Sequence, residues 1–267
     1  MTNEIKADLI VIGSGPGGYT AAFRAADLGL SVILIEKFPR LGGVCLNVGC
    51  IPSKTLLHTA KVIEETGHLK TAGIEFGPPK INLDHLRAWK SKVVSQLTGG
   101  LSTLAKKRQV TIIQGLAYFS ASHQVTVKHP DEDLTIAFDQ AIIATGSVAK
   151  MPPNLPDDPR IMDSTRALEL IDIPERLLIV GGGIIGLEMA CIYQALGSHI
   201  TIVEFLGQLM PETDLDLVRP LRVRLDQKCD AIHLNTKVEE STLKKNTWKS
   251  PLRVSMPPHQ PTLIGYW

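Results

Sequence analysis

Two stretches of this sequence repeat one pattern. In each, an aliphatic run ends at a glycine loop, a helix-forming segment follows and closes at a glycine, and a second aliphatic run ends in glutamate. The first copy is a strand over 5–12, the loop Gly13-Ser14-Gly15-Pro16-Gly17-Gly18, a helix from Tyr19 to Leu28, Gly29, and a strand from Ser31 to Glu36. The second is a strand from Leu177 to Val180, the loop Gly181-Gly182-Gly183-Ile184-Ile185-Gly186, a helix from Leu187 to Leu196, Gly197, and a strand from Ile200 to Glu204. From first glycine to glutamate is 23 residues in both copies, and the helix-ending glycine sits at offset 16 in both. Aliphatic runs with little alternation are buried on both faces, which makes them parallel strands. Parallel neighbours need a crossover, here the helix. The chain is expected to be α/β, with two Rossmann-like, doubly wound, three-layer dinucleotide-binding domains.

Each loop has the form Gly-x-Gly-x-x-Gly between a buried strand and a helix, the context that gives the motif meaning. Gly13 and Gly181 make the tight turn, Gly15 and Gly183 let backbone approach a pyrophosphate, and Gly18 and Gly186 let helix pack on strand. The phosphates then meet exposed N–H groups at the helix start. A ligand-free turn of a parallel sheet is the plainer reading of a single copy, but two matched copies favour two dinucleotides. Glu204 suits a ribose 2′-OH and would repel a 2′-phosphate, and no arginine lies between Phe205 and Glu212 to counter it, so the second site selects NAD over NADP. Glu36 suits the adenosine ribose of NAD or FAD equally.

Between the copies, Cys45 and Cys50 lie in Leu41-Gly42-Gly43-Val44-Cys45-Leu46-Asn47-Val48-Gly49-Cys50-Ile51-Pro52-Ser53-Lys54. In an ideal helix two such residues would hold their Cα atoms roughly 8–9 Å apart, beyond the ~7 Å a disulfide tolerates. If the sulfurs bond, the segment must be distorted, and Gly49 is where that is cheapest. Cys50 stands just ahead of a helical run reaching Glu65, with Lys54 four residues on, and both features favour a thiolate. Buried structural thiols remain the plain alternative. No close Cys or His pair completes a zinc set. A dithiol exchanges two electrons by thiolate attack, whereas nicotinamide moves a hydride, and a flavin between them can do both. That relay assigns FAD to the first loop and NAD to the second.

The remaining features are consistent with a compact cytoplasmic protein. The 267 residues carry a net charge of +1, which argues against nucleic acid as the main partner. No signal-peptide pattern and no run of membrane-spanning length is present, and four cysteines do not make a secreted disulfide scaffold. Helices are expected over 53–67 and 83–107, the latter with Leu83, Leu86, Trp89, Val93, Leu97, Leu101 and Leu104 as a core stripe. A three-stranded meander is expected over 110–119, 123–128 and 133–139, then a separate buried strand over 140–147. His58 and His85 read as ordinary helix residues. Four prolines, Pro152, Pro153, Pro156 and Pro159, mark a connection. The expected division is 1–148 for the FAD-binding domain, 149–240 for an incomplete NAD-binding domain, and 241–267 for an irregular tail. That tail holds no Asp or Glu, four prolines and two of the three tryptophans. An abrupt composition break of this kind is what a shifted reading frame produces, and sequencing the gene for a compensating single-base change tests it.

The stretch Gly42–Lys54 closely resembles the active-site signature of the pyridine nucleotide–disulfide oxidoreductases, and within them the bacterial dihydrolipoamide dehydrogenases. Gln96-Leu97-Thr98-Gly99-Gly100-Leu101, Ala141–Ser147, Pro174-Glu175-Arg176-Leu177-Leu178 and Gly181–Glu188 match too, so the resemblance covers residues 1 to about 240. It implies that the NAD domain is inserted in the FAD domain. It implies a redox disulfide in which Cys45 exchanges with a dihydrolipoyl substrate and Cys50 faces the flavin. Lys54, near the flavin, would pair with Glu188. FAD would be held by Gly13, Gly15, Gly18, Glu36, Lys37, Gly42 and Gly43, with Lys54, Ala117, Thr145 and Gly146 nearby; NAD by Gly181, Gly183, Gly186, Glu204 and Val238. Partners would be the lipoylated carrier domains of 2-oxo acid dehydrogenase complexes, and the family forms homodimers. The family's later Gly-Asp motif and C-terminal interface domain, with its His and Glu, are not encoded here; His259-Gln260-Pro261-Thr262 only faintly echoes that His. Two alternatives remain: a related glutathione- or mercuric-type reductase, and an inactive fragment that at most binds dinucleotide.

Overall fold

A computed structural model of the chain describes residues 5–129, 132–151, 155 and 158–238, and the backbone of 254–255. The described residues fall into two compact units, one drawn from Met1–Pro52 and Ala88–Val148, the other from Ser53–Arg87 and Ala149–Trp267.

In the first unit β1 (Ile5–Ile12), α1 (Pro16–Asp27) and β2 (Val32–Glu36) form the expected βαβ turn. All five residues of β2 are buried, as a central parallel strand requires. Then come α2 (Gly43–Val48), α3 (Cys50–His68), α4 (Leu83–Lys107), β3 (Thr111–Gln114), β4 (Leu116–Ala121), β5 (Gln124–Lys128) and β6 (Leu134–Ile143). The six strands form one sheet in the order β3-β2-β1-β6-β5-β4. β3, β2, β1 and β6 run parallel, while β5 and β4 add an antiparallel hairpin at one edge. Ile10, Val11, Leu34, Val125, Val127 and Ile136 are wholly buried in it. β1 has β2 on one side and β6 on the other, so strand order reverses there. The crevice at the carboxyl ends of β1 and β6 is where such sheets bind ligands. Gly13 sits at that point: its N–H donates to the Ile35 carbonyl at 2.8 Å, beside the Ala144–Ile12 bond of 2.8 Å.

The second unit repeats the theme with α5 (Ser164–Glu169), β7 (Arg176–Val180), α6 (Ile184–Leu196), β8 (His199–Val203), α7 (Leu215–Asp226) and β9 (Ala231–His233). β7, β8 and β9 pair in parallel in that order, the same one-two-three succession as β1, β2 and β3. β10 (Lys237–Val238) pairs antiparallel with β11 (Val254–Ser255). The expected irregular tail lies outside the described residues except for that pairing, which shows an ordered ladder at one point of it. His259 also lies outside them.

Several expectations are corrected. The expected continuous segment 1–148 is interrupted, because 53–87 packs with the second unit: Leu56, Leu57, Ile63, Leu83 and Leu86 share a core with Leu168, Leu187 and Leu225. β3 is not part of a meander; its parallel pairing to β2 follows from the crossover made by the helices between them. The runs 133–139 and 140–147 are one strand. Leu134 and Thr135 pair with β5, Ile136 and Ala137 with both β5 and β1, and the rest of the strand with β1 alone, and Ile142 and Ile143 are exposed rather than buried. On α4 the buried face is Val94, Thr98, Leu101 and Ala105, while Trp89, Leu97 and Leu104 are exposed. The helix changes unit at Ala88, so no single stripe serves its whole length. Both helices after the glycine loops begin about one turn early, α1 at Pro16 and α6 at Ile184. A proline in the first turn has its φ pre-set for helix.

That early start places Gly17 and Gly18 in one helical turn with opposite demands. A Cβ on Gly18 would lie 1.8 Å from the Gly13 carbonyl oxygen; one on Gly17 would meet nothing within 4 Å. Urea unfolding should show Gly18→Ala destabilised by about 3 kcal/mol or more, and Gly17→Ala unchanged or stabilised by about 0.5–1 kcal/mol. Equal effects would refute the close packing of α1 on its loop.

Candidate functional site

The first loop is tied to the strand beside it and to the cysteine segment through one buried residue. Ser14 donates to Glu36 Oε2 from its N–H at 2.9 Å and from its Oγ at 2.6 Å. The Phe38 N–H donates to Glu36 Oε1 at 3.0 Å. Ser14 is fully buried and Glu36 nearly so. The Gly42 N–H donates to the Ser14 carbonyl at 2.9 Å and to its Oγ at 3.2 Å. Behind this bond the loop and the cysteine segment meet backbone to backbone: a Cβ on Gly43, at φ +58°, would lie 2.6 Å from Gly15 Cα. A side chain at Gly43 would pry the cysteines from the loop, whereas a Cβ on Gly15 would meet only Gly43 Cα, at 3.9 Å.

From that contact the cysteine segment rises as α2, a short helix absent from the sequence expectation. Asn47 Nδ2 donates to the Leu41 and Gly43 carbonyls at 3.0 and 2.9 Å, fastening its start. Cys45 is half-buried against the core of Leu41 and Leu46. The helix breaks at Gly49, at φ −140° and ψ −113°, where the sequence placed the distortion. A Cβ there would crowd the Val44 carbonyl at 3.0 Å and Cys45 Cα at 3.3 Å. Cys50 is the first residue of α3 and is exposed. It therefore stands among the N–H groups that an α-helix leaves without intrahelical partners, where the dipole favours negative charge.

In the second unit, Gly182 N–H donates to Glu204 Oε2 at 2.6 Å and Leu206 N–H to Oε1 at 2.7 Å. The Met210 N–H donates to the Gly182 carbonyl at 2.9 Å. Met210 follows Glu204 by six residues, as Gly42 follows Glu36, so the two copies agree bond for bond beyond the stretch visible in sequence. They differ at the middle position: a Cβ on Gly182 would lie 2.5 Å from Leu209 Cδ2, where the first copy accommodates serine. Neither α1 nor α6 carries an acid in its first turn, which leaves both helix starts open to phosphate. Lys54 Nζ lies 2.5 Å from Glu188 Oε1, with Glu188 12% exposed and Lys54 59%. That is the expected pair.

The first crevice thus gathers Gly13, Gly15, Gly18, Glu36, Gly42 and Gly43, with Thr145 Cα close to Gly13 and Gly146 at φ +72° just beyond. Lys37 is exposed, its ammonium 4.8 Å over the Phe38 ring. Ala117 lies on β4 opposite Val127, two residues past Gly115, whose N–H donates to the Glu36 carbonyl at 2.8 Å. Gly181, Gly183, Gly186 and Glu204 surround the second loop, and Val238 is half-buried on β10. Sequence reasoning missed Ser14 and Asn47. Ser14 occupies a variable position of the motif, so only its burial reveals it.

The other two thiols are unlike these. Desolvation pushes the Cys191 thiol up, and desolvation with the neighbouring Cys191 pushes Cys229 up to about 11. Among the described residues no group of three or more His, Cys, Asp or Glu is placed to hold a metal ion, and no helix is long and apolar enough to cross a membrane.

Residues 7–253 match the family described as pyridine nucleotide-disulphide oxidoreductase. The dihydrolipoyl dehydrogenase of Vibrio parahaemolyticus is 51% identical over 239 residues, 89% of this chain and 50% of that protein. That of Haemophilus influenzae is 52% identical over 240 residues, with the same shares covered. The chain therefore spans about half the length of the curated relatives it matches. Among solved structures, the HOCl-induced flavoprotein disulfide reductase RclA from Escherichia coli superposes with a TM-score of 0.73 at 30% identity, covering 87% of this chain and 50% of that one. The Cu(II) complex of the same reductase gives 0.76 at 31%, covering 90% and 52%.

The thiolate is the nucleophile, so thiol environment sets reactivity. With the protein reduced at pH 8, iodoacetamide should label Cys50 first and Cys229 last, at least ~100-fold apart, because a thiol titrating near 11 is about one part in a thousand thiolate there. Peptide mass spectrometry over time gives the order, and early labelling of Cys229 would contradict it.

Proposed function

Because this chain belongs to the pyridine nucleotide-disulphide oxidoreductase family, we propose that its residues serve a dihydrolipoyl dehydrogenase relay, from a dithiol through a Cys45–Cys50 disulfide and FAD to NAD. The observation that carries the reading is the Glu36–Ser14–Gly42 chain of hydrogen bonds, which fastens the cysteine segment to a dinucleotide loop.

The residues present suit the two groups. Gly15 and Gly43 leave a cradle with no side chain between loop and cysteines, and the N–H groups at the start of α1 would face a diphosphate bound there. Glu36 accepts three hydrogen bonds, two from Ser14 and one from Phe38, and Glu204 two, from Gly182 and Leu206, yet a carboxylate offers about four lone-pair sites, so a ribose hydroxyl can still donate to either. At Glu204 a 2′-phosphate would instead face a buried carboxylate. Bound flavin would supply two-electron exchange between a thiolate and a hydride acceptor.

The chemistry balances on these residues. A dihydrolipoyl thiolate attacks the Cys45 sulfur and the Cys45–Cys50 bond breaks. The second substrate thiol closes the lipoyl ring and leaves Cys45 and Cys50 reduced. Two electrons then pass to NAD as hydride, and one proton is released. The dipole at the start of α3 favours negative charge developing at its first residue, Cys50. Glu188 pairs with Lys54 one turn further along the helix. The partners in this reading are lipoylated carrier domains of 2-oxo acid dehydrogenase complexes, in the cytoplasm.

The test is reconstitution with FAD under anaerobic conditions. Dihydrolipoamide should bleach the flavin, and NAD but not NADP should restore its colour. Cys45→Ser and Cys50→Ser should each slow the bleaching at least ~100-fold. Wild-type rates in both variants would overturn the disulfide, and equal reoxidation by NADP would overturn the role of Glu204. Flavin binding without bleaching would make the chain a dinucleotide binder alone.

A further inference from the structure

Helix α3 begins with Cys50 and carries Lys54 one turn later, and its far end is held by a cluster that the relay does not use. Glu64 Oε2 lies 2.5 Å from Arg224 Nη2 and 2.5 Å from Lys228 Nζ, and Glu64 Oε1 lies 3.8 Å from His68 Nε2. Arg224 is in the last turn of α7 and Lys228 two residues beyond its end. The Glu64 side chain is only 17% exposed. Between the two ends of α3, Leu56 is 2% exposed, and Leu57 and Ile63 pack on the same core. α3 is thus held at two places, by α6 at Glu188 and by α7 and the residues after it at Arg224 and Lys228.

We propose that Glu64 is a positioning residue for the relay: by anchoring α3 to α7 it sets where Lys54 meets Glu188, and so the charge beside Cys50. The inference rests on the redox reading given to Cys50 and Lys54. Isolated exposed ion pairs contribute little. Here, however, one shielded carboxylate receives two cations, and although Arg224 is 53% exposed, Lys228 is only 20% exposed, so removing Glu64 would leave a shielded ammonium without its counter-charge. Desolvation pushes the Glu64 carboxyl up, but hydrogen bonds from Lys228 and Arg224 outweigh it and hold it below its usual value. The anchor is therefore charged throughout the working range. A helix transmits such an anchor because its turns are hydrogen-bonded in series, whereas a loop would absorb it.

Two readouts on the full chain test this. Lys54 and Glu64 are ten residues apart on one helix, roughly 15 Å by its rise, and changes so far apart ordinarily add. Positioning predicts that the fall in Tm caused by Lys54→Met at least halves in a Glu64→Gln background. It also predicts that Lys54→Met and Glu64→Gln each slow alkylation of Cys50 at a fixed pH at least ~3-fold, with no further slowing in the double variant. A purely structural Glu64 would lower Tm additively and leave the alkylation rate of Cys50 unchanged, and that result overturns the proposal. If Glu64→Gln does not fold, Arg224→Gln carries the same cycle. Additive results would leave the flavin-bleaching experiment untouched, so the two claims fail separately.

Discussion

Each glycine loop in this molecule is held in shape by a buried glutamate at the end of the next strand. A carboxylate taken out of water is costly unless its oxygens are occupied. Glu36 and Glu204 meet that condition with backbone N–H groups, at the loop's second residue and at the residue two beyond the acid itself. Charge-assisted bonds of this kind are the stronger sort. They hold the loop against the strand, which in turn aims the following helix. The acids that sequence reasoning assigns to ribose are thus structural first, with lone pairs left over for a ligand.

The duplication runs deeper than the glycines. In both copies the loop's second carbonyl receives an N–H from a residue six beyond the acid, Gly42 in one and Met210 in the other. Past that bond the copies diverge. The first opens into α2, the break at Gly49 and α3, which present two cysteines; the second leads to α7. The cysteine segment is therefore mounted on a position that the βαβ architecture already fixes. Ser14 adds a side-chain bond to that mount which Gly182 has no room to match.

The βαβ units were legible in the sequence because two sets of offsets agreed, and the break at Gly49 because two sulfurs five residues apart cannot meet across a regular helix. Other features were hidden for physical reasons. β6 changes partners midway, so its apolar pattern changes too and imitates two strands. The buried face of α4 shifts where the helix passes from one unit to the other, which a single periodicity cannot express. Residues 53–87 belong with a core that lies more than a hundred positions away in the chain, through Leu56 and its neighbours. Ser14 and Asn47 act through bonds to backbone, and no local pattern distinguishes them from solvated polar residues.

The central claim is that the cysteine pair and the first dinucleotide loop form one redox unit. Anaerobic titration of the FAD-loaded chain with a quantified reductant tests it most directly. If the unit is intact, about two electron pairs are taken up per flavin, one by flavin and one by the disulfide, and Cys45→Ser takes up about one. Uptake of a single pair by the wild-type chain would contradict the claim.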